Sequence, residues 1–298
     1  MIGPRLGVDI GGTRCKIGRV EAGQVVARTA IELTPQHHSA ESLAEAIAGA
    51  LVPLAADISE LGVGVAAVVD SAAGDVVSSP NLPWLNDRPL AGLLAAATGL
   101  HVRLDNDVNC VGWGEARAGA GRGCDELLCL ALGTGLGGAI IRNGELHRGQ
   151  HGRAAELGHV PFRANGPPCG CGGRGCVEQY ASKIGLLRLA ADMGWHPEPG
   201  DAVVALFRAA AGGDRRAIAV VDEAAGALGF LLGWTATLLA PSRIVISGGI
   251  AAAWPQLRVV ALSSMREQLR GTFAEPVVVS GELAEDAGTI GAALLFSR

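Results

Sequence analysis

Aromatic side chains are scarce: Phe, Trp and Tyr together make up 4% of the 298 residues, and there is one tyrosine. Surfaces that bind single-stranded nucleic acid stack bases on such rings, so none is expected here. Charge is thin as well, at 18%, and its balance is acidic, with 24 basic against 29 acidic residues, a net charge of -5 and a pI of about 5.8. Such a chain has no basic field to draw it to a phosphate backbone or an anionic lipid surface. The first residues, MIGPRLGVDIGGT, carry one Arg and then an apolar run broken by Asp9, too short for the core of an export signal. A cytoplasmic protein is expected. The most apolar uncharged stretch, residues 224–240, falls short of the ~20 residues that cross a bilayer and reads as a buried helix leading into a strand at 243–247. With nucleic acid and membrane set aside, the expected partner is a small molecule.

Glycine, in contrast, is abundant, at 44 residues, without the G-X-Y period of collagen or a Ser-rich linker tract. With 49% hydrophobic residues the chain has the composition of a folded protein, and its length suggests about two domains at ~150 residues each. The pattern opens as strand, Gly11-Gly12 turn, strand. Helices follow over 39–52 and 90–98, with strands at 61–69 and 101–104. A second strand, glycine turn and strand begins at residue 127, with an Asn143-Gly144 hairpin turn after it. Residues 148–176 form a Gly/Pro/Cys-rich loop, 181–240 are largely helical, and strands at 243–247 and 277–280 precede a last helix over about 286–296. The expected division is a small α/β domain over 1–115, with the C-terminal helix 286–298 packing back on it, and a large α/β domain over 116–285.

Four groups of residues carry chemistry. Gly133-x-Gly135-x-x-Gly138 has the letters of a dinucleotide fingerprint but lacks its context, since a hairpin rather than a helix follows the glycines. This hairpin and its counterpart, Asp9-Ile-Gly-Gly-Thr13, instead suit a phosphate, because bare backbone amides approach an anion closely and the Thr hydroxyls add donors. Each alone could also be a plain tight turn. Asp9, at a strand end, offers a carboxylate for Mg2+. Asp105-Asn106-Asp107 follows a short strand, and Asp107 is a carboxylate able to orient an attacking hydroxyl; as a bare motif the run could equally be a turn. His159, Cys169, Cys171 and Cys176 are a Cys3His set suited to tetrahedral Zn2+ with no open position, although the spacing is not that of a finger and a redox pair stays open. The other four cysteines, Cys15, Cys110, Cys124 and Cys129, read as small buried hydrophobes.

Together these residues are recognisable. The segment 132–178, LGTGLGGAIIRNGELHRGQHGRAAELGHVPFRANGPPCGCGGRGCVE, resembles the signature of the ROK family, and DIGGTR, Asp105-Asn-Asp-Val-Asn109 and Ser247-Gly-Gly-Ile250 stand in that family's order and spacing. The resemblance covers nearly the whole chain. It implies a two-lobed actin-like/RNase H-like α/β ATPase fold with an interlobe active-site cleft. It further implies an ATP-dependent hexose kinase in which Gly11, Gly12 and Thr13 and then Gly133, Thr134 and Gly135 hold the phosphates of ATP. Gly248 and Gly249 would face the adenosine. Asp107 would be the base, and Asn81, Asn106, Asp107, Glu156, His159 and Glu178 would contact the sugar, with His159 also ligating structural Zn2+. Asn81, Glu156 and His159 are similar to the branch that phosphorylates D-glucose at its 6-hydroxyl, as in glycolysis; N-acetylmannosamine, N-acetylglucosamine or another hexose is the alternative, and a non-catalytic sugar-binding regulator a further one. A repressor of the same family would need an N-terminal helix-turn-helix, for which no room is expected before the strand at residue 5. The resemblance also implies a homodimer or homotetramer. Two positions depart from the family pattern: Ala66-Ala67 stands where Pro-Gly is frequent, and Ala155 replaces a frequent Gly just before Glu156.

Overall fold

A computed structural model of the protein describes residues 3–197, 200–271 and 273–297. The chain divides into two units, one made of residues 1–129, 139–155 and 281–298 and the other of 130–138 and 156–280. The expected boundary after residue 115 thus gives way to four crossings. Two of them interrupt strands rather than linkers, which is why no composition shift marks them.

In the first unit, β1 (Arg5–Ile10), β2 (Arg14–Glu21) and β3 (Gln24–Glu32) form an antiparallel meander. Ser39 then caps α1 (Ala40–Leu51), its hydroxyl accepting the Ser42 N–H at 3.0 Å, and Leu43, Ile47 and Leu51 recur at helical spacing to bury one face. Next come β4 (Glu60–Val65) and the small hairpin β5 (Val68–Asp70) and β6 (Asp75–Ser78). After them α2 (Leu90–Thr98), β7 (His101–Asn106) and α3 (Asp107–Ala118) complete this stretch. The main sheet runs β3-β2-β1-β4-β7, with β1, β4 and β7 parallel.

Register fixes what these strands present. Ile10 pairs with Val65 and Val65 with Asn106, so the carboxyl ends of three parallel strands finish level, and the glycine turn, Ala66-Ala67 and Asp107 leave the sheet along one edge. Open α/β sheets bind ligands at that edge.

The second sheet has the order β10-β9-β8-β11-β12, built from β8 (Leu127–Leu132), β9 (Leu136–Arg142), β10 (Glu145–Leu146), β11 (Arg243–Ser247) and β12 (Val277–Ser280). The division between the units passes through β8 and β9. In the second unit, α4 (Glu178–Ala181), α5 (Lys183–Asp192), α6 (Ala202–Ala211), α7 (Arg215–Leu239) and α8 (Trp254–Leu269) supply the helices. The apolar run ends where α7 does: residues 224–239 lie in this 25-residue helix and Ala240 is its C-cap, and the helix's apolar window is 61% buried inside the protein, so packing accounts for its hydropathy. The C-terminal α9 (Ala287–Ala293) returns to the first unit and packs on β1, β4 and α3. Glycine makes that approach possible: a Cβ on Gly62 would overlap the Ala292 carbonyl oxygen, and one on Gly291 the Cys110 carbonyl oxygen. The glycine surplus therefore serves helix-on-sheet packing as well as turns.

Candidate active site

In the first unit the site begins at Asn106, the N-cap of α3. Its Oδ1 accepts the N–H groups of Val108 at 2.9 Å and Asn109 at 3.0 Å, which leaves Asp107 as the first residue of the helix. The plain-turn reading of Asp105-Asn106-Asp107 is thereby replaced by a strand end and a helix start. The Asn106 Nδ2 amide donates to the Ala67 carbonyl at 3.1 Å and to Asp107 Oδ1 at 2.9 Å, and Val108 N–H reaches the same oxygen at 2.9 Å. One oxygen of Asp107 is therefore held by two donors. The other, Oδ2, has no protein donor among those described. Burial, and then the neighbouring Asp9 carboxylate, pushes Asp107 up to about 7, against the lowering effect of those donors. Asp9 itself is raised by burial and drawn back by Lys16.

The turn Gly11-Gly12-Thr13 is closed by Gly11 N–H donating to the Arg14 carbonyl at 3.0 Å, and Gly12 and Thr13 are exposed. A Cβ on Gly12 would lie 3.6 Å from the Asn81 side chain, so this turn and the exposed Asn81 are neighbours. The segment bearing Asn81 is fixed by Ser79, whose hydroxyl donates to the Ala66 carbonyl at 2.6 Å and accepts Leu82 N–H at 3.0 Å. Ala66 and Ala67 thus serve through their carbonyl groups, which the departure from Pro-Gly leaves in place.

The second unit carries the remaining predicted residues. β9 follows the Gly133 turn directly, as the hairpin reading requires, and Gly133 N–H donates to the Gly135 carbonyl at 2.9 Å. Glu178 Oε2 accepts Leu136 N–H at 3.1 Å, and a Cβ on Gly135 would meet that oxygen at 2.5 Å. Glu178 therefore supports the hairpin, a contact its predicted sugar role did not include. Gly248, with φ of +88°, packs where a Cβ would strike the Leu132 carbonyl oxygen at 2.5 Å, whereas Gly249 has open space on that side.

His159, Cys169, Cys171 and Cys176 converge, their ligand atoms all within 4.8 Å of one another. Cys169 Sγ lies 3.5 Å from His159 Nδ1 and Cys171 Sγ 3.7 Å from Cys176 Sγ. A tetrahedron of ~2.3 Å Zn–S bonds has S–S edges of about 3.8 Å, so the donor set fits Zn2+. His159 turns Nδ1 to the thiols and Nε2 to Glu156, 4.0 Å away. Glu156 follows Ala155, whose φ is +65°, so the departure from glycine here puts an alanine in a left-handed conformation.

Of the remaining cysteines, Cys15, Cys110 and Cys129 are buried as expected, whereas Cys124 is half-buried. One pair near Asp107 was not anticipated, since Asp105 read only as part of a turn motif and Arg148 had no role. Asp105, at the end of β7, is 2% exposed, and Arg148 Nε donates to its Oδ2 at 2.6 Å. The pairing spans 43 positions and leaves no local signal in the sequence.

Fold, register and glycine turns define a member of the actin-like ATPase class. Within that class the chain belongs to the ROK family, whose model matches residues 5–298. It is 35% identical to the glucokinase of Thermotoga maritima, over 98% of this chain and 97% of the relative. It is also 32% identical to the N-acetylmannosamine kinase of Yersinia pestis, over 98% of each. The crystal structure of a ROK family glucokinase from Streptomyces griseus in complex with glucose and AMPPNP superposes with a TM-score of 0.83 at 34% identity, over 98% of this chain and 99% of that one. The chain is an ATP-dependent sugar kinase.

Proposed function

We propose that the protein transfers the γ-phosphoryl group of ATP to the 6-hydroxyl of a hexose, with D-glucose as its preferred substrate. The observation that supports this best is Asp107: one oxygen pinned by Asn106 and Val108, the other unengaged, at the N-terminus of α3. Phosphoryl transfer passes through a loose transition state and asks the protein chiefly for positioning and charge neutralisation. Asp107 Oδ2 orients the hydroxyl and takes its proton as the O–P bond forms. The amides of Gly11-Gly12-Thr13 and Gly133-Thr134-Gly135 hold the ATP phosphates, and the open face of Gly249 suits adenosine. Asp9 holds Mg2+, which neutralises phosphate charge when bound; two carboxylates raised by burial in one unit are a donor environment that a divalent cation relieves.

Sugar hydroxyls are recognised by Asn81, Asn106, Glu156, His159 and Glu178. Cys169, Cys171, Cys176 and His159 Nδ1 would hold structural Zn2+, which would fix the tautomer of His159, whose Nε2 then faces a hydroxyl beside Glu156. Glucose is favoured over N-acetylmannosamine because the glucokinase relative has the higher identity, 35% against 32%. The test is ADP release with ATP across hexoses and N-acetylhexosamines. Glucose is expected to give the highest kcat/KM; a larger value for an N-acetylhexosamine overturns the glucose assignment, and no turnover with any sugar overturns the function. The expected assembly is a homodimer or homotetramer, checked by light scattering.

A further inference from the structure

Asp105 and Glu115 are the least exposed carboxylate residues among those described, and the reaction above gives Asp105 no task. Its contacts surround the proposed base. Oδ1 accepts the Asn106 N–H at 2.8 Å and the Asn109 side-chain amide at 2.8 Å, one partner on each side of Asp107 in the chain. Asn106 bears on Asp107 directly, donating to its Oδ1, and its own Oδ1 accepts the N–H groups of Val108 and Asn109 that start α3, so Asn109 is tied to Asp107 through Asn106. The other oxygen of Asp105 takes Arg148 Nε.

Arg148 does not approach as a loose surface side chain. Its own carbonyl accepts Ala154 N–H at 3.0 Å, closing a loop in which Gly149, His151 and Gly152 all have positive φ. A Cβ on Gly152 would overlap the Val69 carbonyl oxygen, so the loop is seated against β5. A backbone held in uncommon conformations thus brings one guanidinium to one buried carboxylate.

We propose that Arg148, acting through Asp105, is a positioning residue that sets the orientation of Asp107 for phosphoryl transfer, a role that rests on Asp107 being the base. Without Arg148 the carboxylate of Asp105 is buried with no counter-charge and its hold on Asn106 and Asn109 loosens. A displacement of about 1 Å at a reacting group costs on the order of 100-fold in rate, whereas the ATP phosphates are held by other residues.

The test is steady-state kinetics of Arg148→Ala, Arg148→Lys and Asp107→Asn with ATP and glucose. Arg148→Ala is expected to lower kcat at least ~30-fold and to change KM for ATP less than ~3-fold. Arg148 is 38% exposed at its side chain, so small guanidinium ions can enter the vacated site. About 20 mM methylguanidinium should restore at least ~5-fold of the lost rate, equal urea none, and Arg148→Lys should stay within ~10-fold of the parent. Should Arg148→Ala fail to fold, Arg148→Gln keeps a donor at the same point along the side chain without the charge and is expected to lower kcat ~10-fold in protein that still melts cooperatively. Parent-like kcat in the foldable variant, or a loss that neither lysine nor guanidinium restores, overturns the proposal. Asp107→Asn separates the two claims: if it turns over normally the base assignment fails, and if it is inactive while Arg148→Ala is not, only the positioning role fails.

Discussion

Asp107 carries opposing demands at the scale of one residue. Burial favours its neutral form, yet a base must be ionised, and with its value near 7 both forms are present at neutral pH. With the sugar as varied substrate, kcat/KM is expected to fall tenfold per pH unit below about 7, and the fall should track the ionisation of Asp107. The same shift has a stability consequence. The value is raised in the folded state, so its contribution is fully present below the ordinary carboxylate range near 3.8 and is lost as pH rises through about 7. Asp107→Asn should therefore melt at a higher temperature than the parent at pH 8, with the difference shrinking towards pH 4; a difference independent of pH contradicts the assignment. Ala155, at φ of +65°, makes a second residue-scale case. Left-handed backbone costs an alanine ~1–2 kcal/mol, and glycine returns ~0.4–1 of that through its freer unfolded chain. Ala155→Gly is expected to stabilise the protein by about 0.5–1 kcal/mol in urea titration.

Among elements, the cysteine loop and the end of α3 depend on donors and acceptors distant in sequence. Removing metal from purified protein should release about one Zn2+ per chain and lower the melting temperature, since a closed Cys3His site contributes folding energy. Purified protein with no near-stoichiometric zinc contradicts the site. Glu115, fully buried in α3, accepts the N–H groups of Ala120 at 3.0 Å and of Glu282 and Leu283 at 3.1 Å. Glu115→Ala leaves three backbone donors without that acceptor and should cost about 3 kcal/mol or more; a loss under ~1 kcal/mol shows that the loops relax around it.

These elements also show what was readable beforehand. Both glycine hairpins were legible because apolar strands flank short glycine turns, and the Cys3His set because residue type alone restricts its chemistry. The start of α3 at Asp107 was not legible, since Asp-Asn-Asp favours turns and caps alike until Asn106 is seen to bind Val108 and Asn109. The support that Glu178 gives the second hairpin depends on a contact 42 positions away.

For the molecule as a whole, the family assignment spans residues 5–298. The division into units escaped the sequence because it cuts β8 and β9, where strand composition continues unbroken. Scarce aromatics and plentiful glycine acquire a joint meaning: close backbone approach replaces bulky side chains, both where α9 lies on β1 and β4 and where phosphates are proposed to bind. The side chains proposed to contact the sugar are amides, carboxylates and one imidazole, all of them hydrogen-bonding groups.

The central claim is that Asp107 is the base in phosphoryl transfer from ATP to glucose. It is tested most directly by measuring, for the parent and Asp107→Asn, both turnover to glucose 6-phosphate and glucose affinity by calorimetry. The account predicts that turnover falls at least ~1,000-fold while the dissociation constant for glucose changes less than ~3-fold. Turnover of Asp107→Asn within ~10-fold of the parent would contradict it.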